Sequence, residues 1–452
     1  MSAASAARRV DPGLEIVVLE KGPDIAYGLC GLPYFVSGEV NRADQLLAYP
    51  PDVFRDQRRL DVQTGTDVVS VDVDRRMVHH LRDGQHGRVG YHRLVLATGG
   101  EPVVPRLPGL DDDLVFTVRS LSDAVALRSL LDAGRIGRAL VVGAGYVGLE
   151  MAEALHGRGV AVTVVEQLGQ VLPTVDPPVA LLVEHELVRQ GVDLRLGTGL
   201  LRVDRDGGGL HATLRAVVPP DTGVGALPHD VVLDVDVVVL AVGVRAAGAL
   251  AAAAGAATGP GGAVTVDDHM RTDVPDVYAC GDSVAVHHLV LGRPALVPLG
   301  PAANKTGRVA GTVAAGGEAR FAGLVGTAVV KVFDLAVART GLTAGEAEAE
   351  GLDPLVTDVE GRSRAKYYPG SRPVMVRLVH APGGRVLGAQ MVGADVAKRI
   401  DVVATALQAG FDVHQLADLD LSYAPPYAPV YEPILLAAQR ASSAALPAPV
   451  PV

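Results

Sequence analysis

Two cysteines are the residues of this chain best suited to redox chemistry. Cys30 lies in AYGLCGLPYFVSG, directly before a possible helical turn. A helix N-terminus lowers the pKa of a thiol and favours the thiolate, which is the nucleophilic form. Cys280, between Ala279 and Gly281, is predicted to be structural. Thiol–disulfide exchange needs only one protein sulfur when a small thiol supplies the other, so Cys30 alone could turn over a disulfide.

The segment VVGAGYVGLEMAEALHGRGVAVTVVE fits a strand, a nucleotide-binding loop and a helix. Gly143, Gly145 and Gly148 form a G-x-G-x-x-G pattern, which lets the backbone approach a pyrophosphate at a helix N-terminus. Glu166 ends the next strand, where a carboxylate accepts hydrogen bonds from ribose hydroxyls and repels a 2′-phosphate. Gln167 follows rather than Arg, so the loop is expected to prefer NADH to NADPH.

The N-terminus looks like the last part of a second unit of the same kind. Ser2–Arg9 is predicted as its helix, Ile16–Leu19 as its second strand, and Glu20, followed by Lys21, as its ribose acid. The first strand and glycine loop of such a unit would precede Met1. The sequence is therefore expected to be truncated at its start, with weakened flavin binding if the short form is real.

Two further patches look like the rest of a flavin site. One is LATGG, with Ala97, Thr98 and Gly99, and the other is TDVPDVYACGD, which ends in Gly281 and Asp282. Gly281 would let the backbone come close, and the Asp282 carboxylate could accept hydrogen bonds from ribityl hydroxyls.

Strands alternate with helices up to about residue 320, which predicts a parallel α/β sheet. Beyond that point a separate α+β domain is predicted, with strands at Thr327–Phe333, Val374–His380 and Arg385–Val392 and helices at Val396–Gln408 and Ile434–Arg440. Residues 204–230 are expected to form a surface hairpin or loop, and residues 441–452 a disordered tail.

Composition excludes several classes of function. The 452 residues are 49% apolar and 20% charged, which is typical of a globular chain of about three domains. With a net charge of −11 and no basic stripe, neither nucleic acid nor an anionic membrane is expected as a partner. Two distant cysteines and the lack of a long apolar segment indicate a soluble cytoplasmic protein. The adjacent His79-His80 and His287-His288 pairs would point to opposite faces of a strand, so no metal site is expected.

Taken in order, these pieces resemble the FAD-dependent pyridine nucleotide–disulfide oxidoreductases, and within them the single-cysteine branch. The resemblance covers residues 1–440 and rests on CGLPYF, GAGYVGLEMAEAL, VYACGD, PLGPAANKTGRVAG, AVVKVFDLAVARTGLT and SYAPPY. It implies an α/β fold with two Rossmann-like dinucleotide-binding domains, one for FAD and one for NAD, and a C-terminal α+β dimerisation domain. The implied boundaries are 1–107 with 244–320 for a split, N-terminally truncated FAD domain, 108–243 for the NAD(P)H domain, and 321–440 for dimerisation.

The resemblance also implies roles for individual residues. Cys30 would be the redox cysteine, and Tyr423, with Tyr367 or Tyr368, would reach it from the partner subunit and donate a proton to the departing thiolate. Tyr146 resembles an aromatic that lies over the flavin until nicotinamide displaces it. The motifs and the resemblance together assign FAD and NADH (or NADPH) binding to Glu20, Lys21, Ala97, Thr98, Gly99, Gly281, Asp282, Pro298, Ala302, Gly143, Gly145, Tyr146, Gly148, Glu150, Glu166 and Gly243.

The activity that the resemblance implies is reduction of a coenzyme A disulfide or persulfide by a homodimer. One alternative is an NADH oxidase or peroxidase that works through a Cys30 sulfenic acid. Another is a nucleotide-binding protein without turnover, caused by the missing first loop. A third, a flavin reductase for an electron-carrier protein, would not need the tyrosines of SYAPPY. The sequence leaves the physiological substrate open.

Overall fold

The structure, a computed structural model, describes residues 1–216 and 230–445. Its first segment carries the predicted helix and strand near the N-terminus. The helices there are α1 (Ser2–Val10) and α2 (Leu32–Ser37). The strands are β1 (Val17–Leu19), β2 (Asp61–Gln63), β3 (Thr66–Asp72), β4 (Met77–Arg82), β5 (Gln85–Gly90), β6 (Leu94–Leu96) and β7 (Gly100–Pro102). β1 pairs with β2 in parallel, and β3, β4 and β5 form an antiparallel sheet.

The middle segment contains a five-stranded parallel sheet in the order β11-β10-β9-β15-β8. Its strand β9 is buried on both faces, as expected where helices cover a parallel sheet. The elements are β8 (Val115–Phe116), α3 (Leu121–Asp132), β9 (Arg138–Val142), α4 (Tyr146–His156), β10 (Ala161–Val165), α5 (Pro177–Arg189), β11 (Asp193–Arg195), β12 (Thr198–Asp206), β13 (Gly209–Ala216), β14 (Asp230–Val235) and β15 (Val237–Leu240).

Strands β12, β13 and β14 form a separate antiparallel sheet beside the parallel one. The turn between Asp206 and Gly209 confirms a hairpin within the predicted loop region. The rest of that prediction, at residues 217–229, lies outside the described residues.

The chain then returns to its first segment. The returning elements are β16 (Val244–Ala246), α6 (Ala249–Ala253), β17 (Val264–Thr265), β18 (Val277–Ala279), β19 (Val284–His288), β20 (Arg293–Leu296) and α7 (Gly300–Ala314). β18 pairs with β6 in parallel, and β16 pairs with β7. α7 packs closely on α1, which is possible because Gly311 has no Cβ. A Cβ there would lie 2.0 Å from the Ala3 carbonyl oxygen.

The C-terminal segment is a five-stranded antiparallel sheet in the order β21-β22-β25-β24-β23, covered by helices. This confirms the predicted α+β unit. Its elements are β21 (Ala328–Val332), β22 (Leu335–Gly341), α8 (Ala344–Ala349), β23 (Leu355–Arg362), β24 (Pro373–His380), β25 (Val386–Gly393), α9 (Val396–Ala409), α10 (Val413–Ala417) and α11 (Pro433–Ala445). Short 3₁₀ or π turns occur at Leu29–Gly31, Ala43–Leu46, Val53–Gln57, Pro260–Gly262 and Gly281–Ser283.

The predicted disordered tail at 441–452 is wrong for its first residues, because α11 continues through Ala445. Ala437, Ala438 and Ala441 are fully buried against the C-terminal core, and alanine is the best helix former, so packing extends the helix. Residues 446–452 lie outside the described residues. None of the helices in the described part of the chain is long and apolar enough to cross a bilayer.

Candidate active site

In the glycine loop between β9 and α4, Gly143 and Gly148 are closely packed against backbone, whereas Gly145 faces open space. A Cβ at Gly143 would lie 2.5 Å from the Ala241 carbonyl oxygen, and a Cβ at Gly148 would lie 2.0 Å from the Gly143 oxygen. No heavy atom lies within 4 Å of the Cβ position at Gly145, which precedes the first helical residue, Tyr146. No side chain caps this helix end, so its backbone N–H groups suit a pyrophosphate.

Glu166 stands beside this loop at the end of β10. Its Oε2 accepts a hydrogen bond from the Ala144 backbone N–H (2.9 Å), and its Oε1 accepts one from Leu168 (3.0 Å). The carboxylate is therefore held where the ribose of a dinucleotide bound to the loop would lie.

Glu20 has the matching position at the end of β1. Its Oε1 accepts a hydrogen bond from the Gly22 backbone N–H (2.7 Å). Lys21 is 77% exposed and pairs with Asp67 (2.9 Å). The acid thus points back to the strand end, and the lysine extends along the surface.

The two predicted flavin patches meet at one sheet edge. LATGG follows β6 and ACGD follows β18, and these strands are parallel neighbours. Their carboxyl ends form the kind of crevice in which α/β sheets bind ligands. Gly99 and Gly281 have positive φ angles of 72° and 84°, and no heavy atom lies within 4 Å of either Cβ position. This open backbone, with the Asp282 carboxylate beside it, fits a flavin nucleotide.

The remaining predicted binding residues frame this edge. Ala97 and Thr98 continue β6, and Thr98 Oγ1 donates to the Ala247 carbonyl oxygen (2.6 Å). Pro298 and Ala302 flank the start of α7, a 15-residue helix without a side-chain cap. Gly243 lies where the middle segment crosses back, and its carbonyl oxygen accepts from Val103 (2.9 Å).

Arg119 is a site residue that the motifs did not predict. Its Nη2 lies 3.3 Å from Asp282 Oδ2, and the Tyr27 hydroxyl donates to its carbonyl oxygen (3.4 Å). Ser120, the next residue, caps α3 by accepting from the Asp123 N–H (3.0 Å). An arginine directly before a helix cap was the available sequence signal, but only the fold brings it to Asp282.

Cys30 is exposed and lies in the short turn Leu29–Gly31 before α2. Partial burial of the thiol raises its pKa, and the carboxylates of Glu150 and Asp282 raise it further. Arg119 opposes them. The predicted lowering of the Cys30 pKa is therefore wrong in this structure, because burial and two carboxylates outweigh a one-turn helix start. Leu29, whose side chain has no polar atom, offers the sulfur no side-chain hydrogen bond.

Cys280 differs from Cys30 chiefly in its access to solvent. It is 3% exposed, and burial raises the pKa of its thiol to about 11. This agrees with the structural role predicted for it.

Glu150 faces the Cys30 side of the molecule from α4. Its Oε1 lies 3.5 Å from the Tyr34 hydroxyl on α2. Burial raises the pKa of Glu150 to about 7 and that of Tyr34 to about 12. One turn further on, Glu153 pairs with Lys331 of β21 and accepts from the Phe333 N–H (2.7 Å). The three segments of the chain thus meet beside α2, the helix that follows Cys30.

The tyrosines of the C-terminal segment lie on two loops that touch each other. Ala365 donates its backbone N–H to the Pro425 carbonyl oxygen (3.3 Å). A polar contact with Tyr367 raises the pKa of Tyr423. Tyr367 is 76% exposed, Tyr423 50% and Tyr368 36%. Within the described residues, no hydrogen bond joins these tyrosines to Cys30.

Comparison with known proteins accounts for this arrangement. The model of the pyridine nucleotide-disulphide oxidoreductases matches residues 1–307, and the model of their dimerisation domain matches residues 327–433. An NAD(P)H sulfur oxidoreductase (CoA-dependent) of Pyrococcus abyssi is 36% identical over 441 residues, 97% of this chain and 95% of that protein. An NADH oxidase of Methanocaldococcus jannaschii is 35% identical over 444 residues, 98% of this chain and 96% of that protein.

A solved structure is equally similar. The NAD-dependent persulfide reductase from A. fulgidus superposes with a TM-score of 0.91 at 37% identity, covering 98% of this chain and 81% of that one. The chain belongs to the pyridine nucleotide-disulphide oxidoreductase family, whose members are NAD(P)H-dependent flavin enzymes.

Proposed function

We propose that the protein reduces coenzyme A disulfide or a coenzyme A persulfide with NAD(P)H, using Cys30 as its single redox cysteine. The observation that carries this proposal is the exposed Cys30 thiol directly before α2, with Cys280 buried out of reach. The names of the P. abyssi and A. fulgidus proteins, which refer to coenzyme A-dependent sulfur reduction and to persulfide, support it.

The cofactor sites follow from the two strand edges described above. Residues 1–107 with 244–320 would form the FAD domain, with Glu20, Lys21, Ala97, Thr98, Gly99, Gly281, Asp282, Pro298, Ala302 and Arg119 around the flavin nucleotide. Residues 108–243 would bind NADH at Gly143, Gly145 and Gly148, with the ribose on Glu166. Bound FAD would carry an electron pair from the nicotinamide to sulfur. Because Glu166 repels a 2′-phosphate, NADH is the preferred donor.

Cys30 performs the exchange step on sulfur. Its thiolate attacks one sulfur of coenzyme A disulfide, a new bond forms to Cys30, and the S–S bond of the substrate breaks. The second coenzyme A leaves as a thiolate and takes a proton. The raised pKa of Cys30 makes its thiolate scarcer at neutral pH but intrinsically more nucleophilic.

Tyr423 and Tyr367 would supply that proton to the coenzyme A thiolate that leaves at Cys30 of the partner subunit. Residues 321–440 would form the dimer, and the exposure of Tyr367 and Tyr423 in the single chain suits side chains that serve a neighbour. Tyr367 is chosen over Tyr368 because it is the one that contacts Tyr423. Two unpaired cysteines suit a reducing cytoplasm, where we place the enzyme.

An NADH oxidase or peroxidase is the second candidate function. The M. jannaschii relative carries the name NADH oxidase, and the exposed Cys30 thiol is open to peroxide as well as to a disulfide. In that case Cys30 would pass through a sulfenic acid, and turnover would need no added thiol compound.

Replacing Cys30 tests the proposal. The Cys30→Ser enzyme should still reduce ferricyanide with NADH but should release no coenzyme A from its disulfide. Cys280→Ala is the matched control and should keep both activities. Disulfide turnover by the Cys30→Ser enzyme at the wild-type rate would overturn the role of Cys30.

A further inference from the structure

A chain of polar contacts runs from the nucleotide loop into the C-terminal segment. Thr174 Oγ1 donates a hydrogen bond to the Tyr146 hydroxyl (3.2 Å). The Thr174 carbonyl oxygen accepts in turn from Arg339 Nη1 on β22. Arg339 is 11% exposed, and its Nη2 is fixed by Glu346 (2.6 Å) and the Gly341 carbonyl oxygen (2.8 Å). Tyr146, Thr174, Arg339 and Glu346 thus connect α4 to α8, partly through the Thr174 backbone carbonyl.

Tyr146 shares a face of α4 with Glu150. It is the first residue of α4, and Glu150 follows four residues later, so both side chains project from the same face. Glu150 reaches Tyr34 and raises the pKa of Cys30. Tyr146 therefore lies directly after the glycine loop, which suits the pyrophosphate, on the helix face that also carries Glu150.

The loop that carries Thr174 has an anchor of its own. The Asp176 carboxylate accepts from Arg377 Nε (2.8 Å), from Gln390 Nε2 (2.6 Å) and from the Ala344 N–H (3.2 Å). Because Asp176 holds the loop to the C-terminal segment, the Thr174 hydroxyl is not needed to fold it. The hydrogen bond of that hydroxyl to Tyr146 can therefore serve to position the tyrosine.

We propose that Thr174 and Arg339 are positioning residues that hold Tyr146 in its resting position beside the glycine loop, so that the C-terminal segment controls access of NADH. This inference rests on the proposed function and on the displacement of Tyr146 by nicotinamide that the resemblance implies. Displacement breaks the bond to Thr174. Removing that bond in advance should therefore tighten nucleotide binding by about two- to tenfold, the usual worth of one hydrogen bond.

The experiment removes the hydroxyl of Thr174 and keeps its shape. In the flavin-loaded enzyme, Thr174→Val should lower the Kd of NAD⁺ in calorimetric titration, and should lower the KM for NADH with ferricyanide more than it changes kcat. Thr174→Ser should behave like the wild type because it restores the donor. Arg339→Lys, which cannot make the same forked contacts, should shift the Kd in the same direction as Thr174→Val.

Two comparisons separate positioning from a general structural effect. Thr327→Val, which removes a Thr–Thr hydrogen bond (2.8 Å) within the C-terminal segment, should leave the Kd unchanged. In the Tyr146→Phe background, Thr174→Val should add nothing, since the two groups act as one pair. An equal effect of Thr174→Val in both backgrounds, or no effect in either, would overturn the inference. These readouts use no sulfur substrate, so they are independent of whether the enzyme reduces coenzyme A disulfide.

Discussion

The Ala144 backbone N–H donates a hydrogen bond of 2.9 Å to the Glu166 carboxylate. This bond ties the glycine loop after β9 to the end of β10, so the proposed pyrophosphate and ribose sites are fixed relative to each other. The second carboxylate oxygen, held by Leu168 (3.0 Å), keeps the side chain from swinging away.

Replacing this carboxylate should relax the choice of nucleotide. The Glu166→Ala enzyme should lose at least about tenfold in the ratio of kcat/KM for NADH to that for NADPH, because it loses a charged acceptor for the ribose and a repulsion of the 2′-phosphate. Steady-state kinetics with ferricyanide measure this ratio. Asp193→Ala, at an exposed acid on the neighbouring strand, should leave it unchanged. A wild-type ratio in the Glu166→Ala enzyme would contradict the assignment.

Because of Glu150, the free energy of unfolding should decrease as the pH rises. Burial raises its pKa from 4.5 to about 7, so between these values the folded protein holds a proton that the unfolded chain releases. The stability contributed by the protonated carboxyl is complete below the lower value and decreases by about 3 kcal/mol as pH rises through the window. Urea unfolding of the wild type and of Glu150→Gln at about pH 5 and about pH 8 measures it. Relative to the wild type, the Glu150→Gln enzyme should be more stable to urea at the higher pH than at the lower one. Parallel pH profiles of the two enzymes would contradict this.

Asp176 should be the most sensitive contact between the middle and C-terminal segments. Asp176→Ala leaves Arg377 Nε and the Gln390 side-chain amide, both largely buried, without their common acceptor and should destabilise the protein by about 3 to 5 kcal/mol. The Asp358 side chain, the other acid paired with Arg377, is 47% exposed. Asp358→Ala should therefore lower the free energy of unfolding by less than about 1 kcal/mol. Urea midpoints compare the two variants. Equal losses of stability in the two variants would show that the buried contacts of Asp176 contribute no more than the exposed Asp358–Arg377 pair.

The tyrosine pair should act on the partner's sulfur site. Tyr423→Phe and Tyr367→Phe should each lower kcat with coenzyme A disulfide by about a hundredfold, while Tyr368→Phe and ferricyanide reduction should be little affected. Subunit exchange gives the sharper test. Mixed dimers of Cys30→Ser and Tyr423→Phe chains contain one complete site only if the tyrosine crosses between subunits, so mixing two inactive enzymes should restore disulfide turnover. Exchange without recovery would place the proton donor elsewhere.

Local patterns were enough to predict the parts that short segments determine. The strand, glycine loop and helix around Gly143 follow from spacing alone, and the structure has them at the predicted positions. Three strands of the C-terminal sheet, β21, β24 and β25, were predicted in the same way, whereas β22, β23 and the antiparallel pairing were not. These elements are specified by neighbours along the chain.

What the sequence could not predict depends on contacts between distant segments. The environment of Cys30 is set by Glu150 and Arg119, which lie far along the chain and approach it only through the packing of α2 against α3 and α4. The Thr174–Tyr146 contact likewise needs the loop after β10 to fold back over α4. The end of α11 was missed because its Ala-rich sequence resembles a tail until the core that buries Ala441 is known.

The central claim, that Cys30 works on the sulfur of a coenzyme A compound, is tested most directly by anaerobic turnover. NADH and coenzyme A disulfide are added to the purified flavin-loaded protein, and thiol release is followed against NADH consumed. The account predicts two thiols released per NADH, abolished by Cys30→Ser. A flavin that NADH reduces without any thiol release, in an enzyme that then consumes NADH with oxygen or peroxide, would contradict the account and favour the oxidase.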